Sequence, residues 1–108
     1  MTGDAATDTV RVLLAGATGT VGAMVGRALA RMPSVQVVRL ARRPAPGVLC
    51  WAPGDPVDGL PPVDAVAALW GVTRGDAAAL ALNTALAEEA ARLGTALGAR
   101  RVLHASSA

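Results

Sequence analysis

The stretch Leu13–Gly22, LLAGATGTVG, decides how this chain folds. Gly16, Gly19 and Gly22 fall in the spacing G-x-x-G-x-x-G directly behind the apolar run Val10-Arg11-Val12-Leu13-Leu14. An amphipathic stretch follows, from Val21 to about Met32. Strand, glycine turn and helix in that order make a phosphate-cradling unit. One glycine accepts φ > 0 in the turn, a second lets the backbone approach a pyrophosphate, and a third lets the helix pack close to the strand. The helix N-terminus adds orphan N–H donors and roughly half a positive charge. Gly16, Thr18, Gly19, Thr20, Val21 and Gly22 are therefore the first candidate dinucleotide-binding residues. The bland alternative is a turn that only reverses the chain. A helix behind it and a second strand at the right distance weigh against that alternative.

Working outward, residues 1–8 read as a disordered polar leader and 9–108 as one NAD(P)-binding domain. Strand one is expected over Thr9–Ala15, the first helix over Thr20–Met32 closed by Pro33, and strand two over Val35–Leu40. A Pro/Gly-rich connection, Ala41–Gly47, leads to a short strand near Val48–Trp51. Turn chemistry dominates Ala52–Pro62, and strand four follows at Ala65–Leu69. Asp76–Leu97 reads as a long helix with Asp76 as N-cap and Gly98 as C′ residue. Its apolar face runs through Ala79, Leu82, Leu86, Ala90, Leu93 and Leu97. Strand five is Arg101–Ala105. Strands one, two, four and five read as fully buried, separated by helices or crossovers. That pattern predicts an α/β Rossmann-type doubly wound parallel sheet in the order 3-2-1-4-5. A ligand then belongs at the switch between strands one and four, beyond their carboxyl ends.

Composition narrows the function classes. Hydrophobic residues make up 53% of the 108, yet no uncharged run reaches the roughly 18–20 residues that span a bilayer. Asp4 and Asp8 precede the first Arg, the reverse of a signal peptide, so a cytoplasmic protein is expected. A net charge of +2 with scattered Arg and two aromatics argues against nucleic acid. The single Cys50 excludes an internal disulfide and, with the single His104, cannot make a zinc site. All ten basic residues are Arg, and there is no Tyr. The chain stops at Ser106-Ser107-Ala108, just behind strand five, and so reads as the N-terminal part of a longer protein.

At the end of strand two a dinucleotide fold presents an acid to the adenosine ribose. Here that position is Ala41, followed at once by Arg42 and Arg43. An acid would repel a 2′-phosphate, whereas arginine grips it with charge-assisted bonds. A unit charge pair at 4 Å is worth about 1 kcal/mol in water and about 4 at an effective dielectric of 20. The expected cofactor is NADP, with NAD admitted. A solvated basic pair on a loop is the competing reading, and the position of the pair favours the ligand.

Taken together, GATGTVG, ALWGVTRGD after strand four, Asn83 in the following helix and HASSA at strand five resemble the extended short-chain dehydrogenase/reductases, the NAD-dependent epimerase/dehydratase family. The resemblance covers residues 9–108. It implies that Asp55 reaches the adenine amino group, with a turn aspartate as the alternative. It also implies that Leu69, Trp70 and Gly71 pass the cofactor ribose; Trp70 replaces a small residue there and can instead pack between sheet and helix. Asn83 matches a helix Asn near the catalytic groups, and a mid-helix Asn has poor propensity without a polar role. Ser107 matches the hydroxyl that bonds the reacting oxygen of the substrate, Ser106 is structural or cofactor-adjacent, and His104 packs. The family's acid/base Tyr and its Lys partner have no counterpart in this chain. What the resemblance implies is thus the cofactor-binding half of an epimerase, dehydratase or other oxidoreductase. Its small-molecule substrate would be a nucleotide sugar or similar carbonyl compound, and the full-length protein could be a homodimer. A non-catalytic NAD(P)-binding sensor is the alternative.

Overall fold

The computed structural model describes residues 9–70 and 77–105. In chain order the elements are β1 (Val10–Ala15), α1 (Thr20–Ala30), β2 (Val35–Ala41), β3 (Leu49–Cys50), β4 (Ala65–Ala68), α2 (Ala77–Leu97) and β5 (Arg101–His104). They form one five-stranded sheet in the order β3-β2-β1-β4-β5, and every pairing is parallel. This is the expected Rossmann-type α/β architecture. Boundaries shift by a residue or two, as fraying element ends allow. The expected N-cap Asp76 lies outside the described residues.

Alternation along β1 divides the two helices between the faces. Leu14 meets the position a Cβ would take on Gly26 of α1, at 3.3 Å, with the Arg39 side chain beside it. Leu13 points the other way, into a cluster with Leu40, Trp51, Val63, Val66, Leu93 and Leu97 on the α2 side. The connections β1-α1-β2 and β4-α2-β5 leave the centre of the sheet in opposite directions. With right-handed crossovers they must then cover opposite faces. α2 ends as its sequence predicts. Gly98 takes φ +75°, and the Ala99 amide donates to the Gly94 carbonyl at 2.9 Å, the outer bond of a Schellman motif.

Two expectations change. Full burial is reached only toward the carboxyl ends of β1 and β2 and at alternate residues of β4. In β5, Val102 and Leu103 are exposed, because β5 has β4 on one side and no described strand on the other. On α2, Leu86, Ala90, Leu93 and Leu97 are buried as expected, but Leu82 is exposed and the polar Asn83 is buried instead. Length explains the exposure of Leu82. A helix of 21 residues runs about 31 Å, whereas the four-residue strands beside it run about 13 Å. The N-terminal half of α2 therefore overhangs the carboxyl end of the sheet.

The glycine turn is the tightest joint in the fold. A Cβ on Gly22 would stand 1.9 Å from the Gly16 carbonyl oxygen and 3.1 Å from the Ala17 Cα, both backbone atoms. Nothing flexible can yield there. Gly22→Ala is therefore expected to lose about 3 kcal/mol or more, at or beyond the top of the overpacking range. Urea unfolding measures this directly; a loss below about 1 kcal/mol would show that the turn can open without consequence.

Candidate functional site

Four segments meet beyond the carboxyl ends of β1, β2, β3 and β4: Gly16–Gly19, Leu40–Arg43, Trp51–Pro53 and Leu69-Trp70. With the overhanging face of α2 they line a cleft of about 730 Å³, within the usual range for small-molecule sites. A second hollow, of about 590 Å³, lies at the opposite end of the sheet around Thr9, Arg11, Gln36 and Asp64. Its polar groups already serve one another. Arg11 donates from its backbone amide to Asp64, from Nε to Gln36 and from Nη1 to the Pro62 carbonyl. The cleft at the carboxyl ends is the candidate site.

The turn presents itself to the cleft in a specific way. Gly16 has φ +76°, and a Cβ on it would strike the Leu69 carbonyl at 2.7 Å. It is glycine on both counts, and it locks the turn against the end of β4. Gly19 differs. Its backbone is extended (φ −70°, ψ 168°), and a Cβ there would meet only the Gly16 carbonyl, at an ordinary 3.5 Å. Gly19 is also the N-cap of α1, with no side-chain cap and no acidic residue in the first turn. The amides that open this helix are left for another acceptor.

Of the expected site residues, Gly16, Thr18, Gly19, Arg42, Arg43, Leu69 and Trp70 line the cleft. Thr20 and Val21 start α1 with exposed side chains, and Gly22 is buried beneath the turn as a packing residue. Arg42 and Arg43 are exposed. Asp55 takes the turn role: its carboxylate accepts from the Ala52 amide at 2.8 Å, and its own amide donates to the Ala52 carbonyl. Asn83 is buried within α2, off the cleft wall. Gly71, Ser106 and Ser107 lie outside the described residues. No group of His, Cys, Asp and Glu among the described residues could hold a metal. Nor is any helix there long and apolar enough to cross a membrane.

The sequence reading missed the wall on the β3 side. Trp51, directly behind β3, stacks on Trp70, with ring centroids 6.0 Å apart and planes 16° from parallel. The Arg92 guanidinium lies 5.8 Å from the Trp51 ring centroid, inside cation–π range. Trp51 Nε1 donates to the Pro56 carbonyl at 2.9 Å, whereas the buried Trp70 Nε1 finds no acceptor among the described residues. Glu89 and Arg92 fasten this wall to α2. Arg92 grips Glu89 through Nε and Nη2, both at 2.9 Å, and also donates to the Asp55 carbonyl. The Gly54 amide donates to Glu89 at 2.6 Å. The Glu89–Arg92 spacing on a helix was the signal available; its partner on the loop was not.

No protein-family model matches the chain, and no curated protein matches it. Among solved structures it is similar to the crystal structure of a "Putative exported protein" from Burkholderia pseudomallei, at 29% identity and a TM-score of 0.58. The match covers 89% of this chain and 47% of that one, so the chain spans about half the length of this neighbour. The word "exported" stands against the expectation of a cytoplasmic protein. That expectation is corrected here, together with the cytoplasmic oxidoreductase label attached to it. It rested on two aspartates ahead of the first arginine, which speak to one kind of leader only.

Glu89 is held below its ordinary value near 4.5 chiefly by the Arg92 hydrogen bond. The Gly54 amide and the Arg92 charge lower it further, and partial desolvation opposes them. A carboxyl depressed in the folded state stabilises above its unfolded value and loses that contribution as pH falls through the folded one. Wild type should therefore lose stability below about pH 4.5 that Glu89→Gln does not. The pair is partly exposed, so the difference should stay within about 1 kcal/mol. Thermal melts of both proteins at pH 7 and pH 3 compare the two slopes, and equal slopes would place the loop's anchorage elsewhere.

Proposed function

We propose that the cleft binds a nicotinamide dinucleotide, NADP in preference to NAD. The observation that carries this is Gly19. Its backbone is one any residue adopts and its surroundings admit a side chain, so the fold does not need glycine there. An approaching pyrophosphate does. Gly16 beside it and the uncapped start of α1 fit the same group, as donors at short range with no side chain in the way. Arg42 and Arg43, beyond an alanine that carries no negative charge, favour a ribose 2′-phosphate. What a nicotinamide dinucleotide supplies when bound is hydride transfer. This chain's own described residues would bind and orient it. A binding role without catalysis is the second reading, favoured by the lack of any Tyr or Lys in the chain.

Calorimetric titration with NADP and NAD separates the expectations. NADP should bind more tightly, and Arg42→Ala with Arg43→Ala should weaken NADP by about 1–3 kcal/mol, the scale of charge-assisted hydrogen bonds, while sparing NAD. A tenfold preference for NAD would sink the NADP assignment. Gly19→Val should abolish binding of both cofactors while costing about 1–2 kcal/mol of stability, the effect of a poor N-cap. Unimpaired binding in that variant would remove the central support for the proposal.

A further inference from the structure

The two faces of the sheet are covered to different degrees. On the α2 face Leu13, Leu40, Val66 and Ala68 are buried. On the opposite face α1 packs on β1 and β2, and among the described residues no helix lies over β4 or β5 there. Val66 belongs to the α2 cluster and Val102 meets α2 at Gly94, so Ala65, Ala67, Arg101 and Leu103 take the other face. Ala67 pairs with Leu103 and Ala65 with Arg101. The alanines are partly exposed and Leu103 is 61% exposed. An all-parallel sheet is ordinarily covered on both faces.

α1 supplies a side wall to this bare strip. It runs antiparallel to the strands in the crossover from β1 to β2, with Gly22 and Gly26 buried against the sheet. In a right-handed crossover, the winding of a right-handed helix then turns Val21, Val25, Leu29 and Met32 toward β4. Val21 and Met32 are exposed there, and Val25 and Leu29 partly so. The result is a trough with an alanine floor, an aliphatic wall and Leu103 as its rim. It is two strands wide, about 10 Å, which is the diameter of one α-helix. Its small floor residues admit a close backbone.

Charge selects the occupant. β1, α1, β2, β4 and β5 contain arginines and neither Asp nor Glu. Arg31, the C-cap of α1, and Arg101, the first residue of β5, are exposed on opposite banks at the amino-terminal end of the strands. A second copy laying its own α1 in the trough would bring Arg31 toward Arg101 with no acid to offset them. A flat lipid surface would reach Leu103 and leave the alanine floor uncovered. We propose that the trough is a docking surface for an amphipathic α-helix of another polypeptide. Its apolar face lies on Ala65, Ala67 and Leu103, and its carboxylates meet Arg31 and Arg101. This is independent of the dinucleotide reading, because the trough and the cleft share no residue.

The test uses a labelled synthetic helix with leucine and alanine on one face and glutamate along its borders, beside the same peptide with lysine for glutamate. Fluorescence anisotropy should show the wild type binding the glutamate peptide several-fold more tightly than the lysine peptide. Leu103→Ser should weaken the glutamate peptide by about tenfold, the scale of one buried leucine. Arg101→Glu should weaken it by up to about fivefold, the scale of an exposed ion pair, and strengthen the lysine peptide. Both positions are exposed, and melting curves should match the wild type. Failure of the wild type to bind either peptide would overturn the proposal, as would binding that ignores both substitutions. Sedimentation of the wild type alone should show a monomer; a dimer that Leu103→Ser dissolves would make a second copy the occupant. Flotation with phosphatidylglycerol vesicles, lost in Leu103→Ser, would make it a membrane. Either of these last two results overturns the partner helix.

Discussion

The contact between Gly22 and the carbonyl of Gly16 sets the geometry on which the site depends. Two backbones approach so closely there that a single added carbon would overlap the carbonyl oxygen. That approach brings the start of α1 up against the turn, and the turn in its place brings Gly16 against the end of β4. The cleft inherits its floor from these two contacts. Arg42, Trp51 and Trp70 can converge on one volume only because the strands behind them are held in register around β1.

Much of this was legible in the residues. The glycine spacing, the apolar runs and the turn-rich connections determine a parallel sheet and its strand order, because each is a local signal with a single good solution. Gly16 shows how far such reading reaches. The need for φ > 0 is visible in the motif, and the structure adds the close approach of Leu69 as a second reason. Gly22 has the close helix packing expected of one glycine in the motif. Its neighbour Gly19 is the one left open to the cleft.

What could not be read was anything set by length mismatch or by contacts between distant loops. Leu82 fits the apolar face of α2 by periodicity, but the sheet ends before it does, so it overhangs the cleft. Asp55, expected from the resemblance to reach an adenine, has its carboxylate accepting from the Ala52 amide within its own turn. The stacking of Trp51 on Trp70 joins two strand ends with two other strands between them in the sheet, and no periodicity encodes it. Glu89 had a visible helical partner in Arg92, but its hydrogen bond to Gly54 crosses 35 residues.

The Gly16–Leu69 contact also governs when the site comes into being. β1 and β4 pair with Val12 against Ala65, so closing that ladder means ordering a loop of about fifty residues. Local elements such as α1 and its turn can form early, but the cleft has no β4 wall until this long closure is complete. A nascent chain would therefore carry a finished glycine turn for some time before it could hold any ligand on it. On the proposed function, ligand capture would follow that closure, and local opening of β4 from the sheet would undo it.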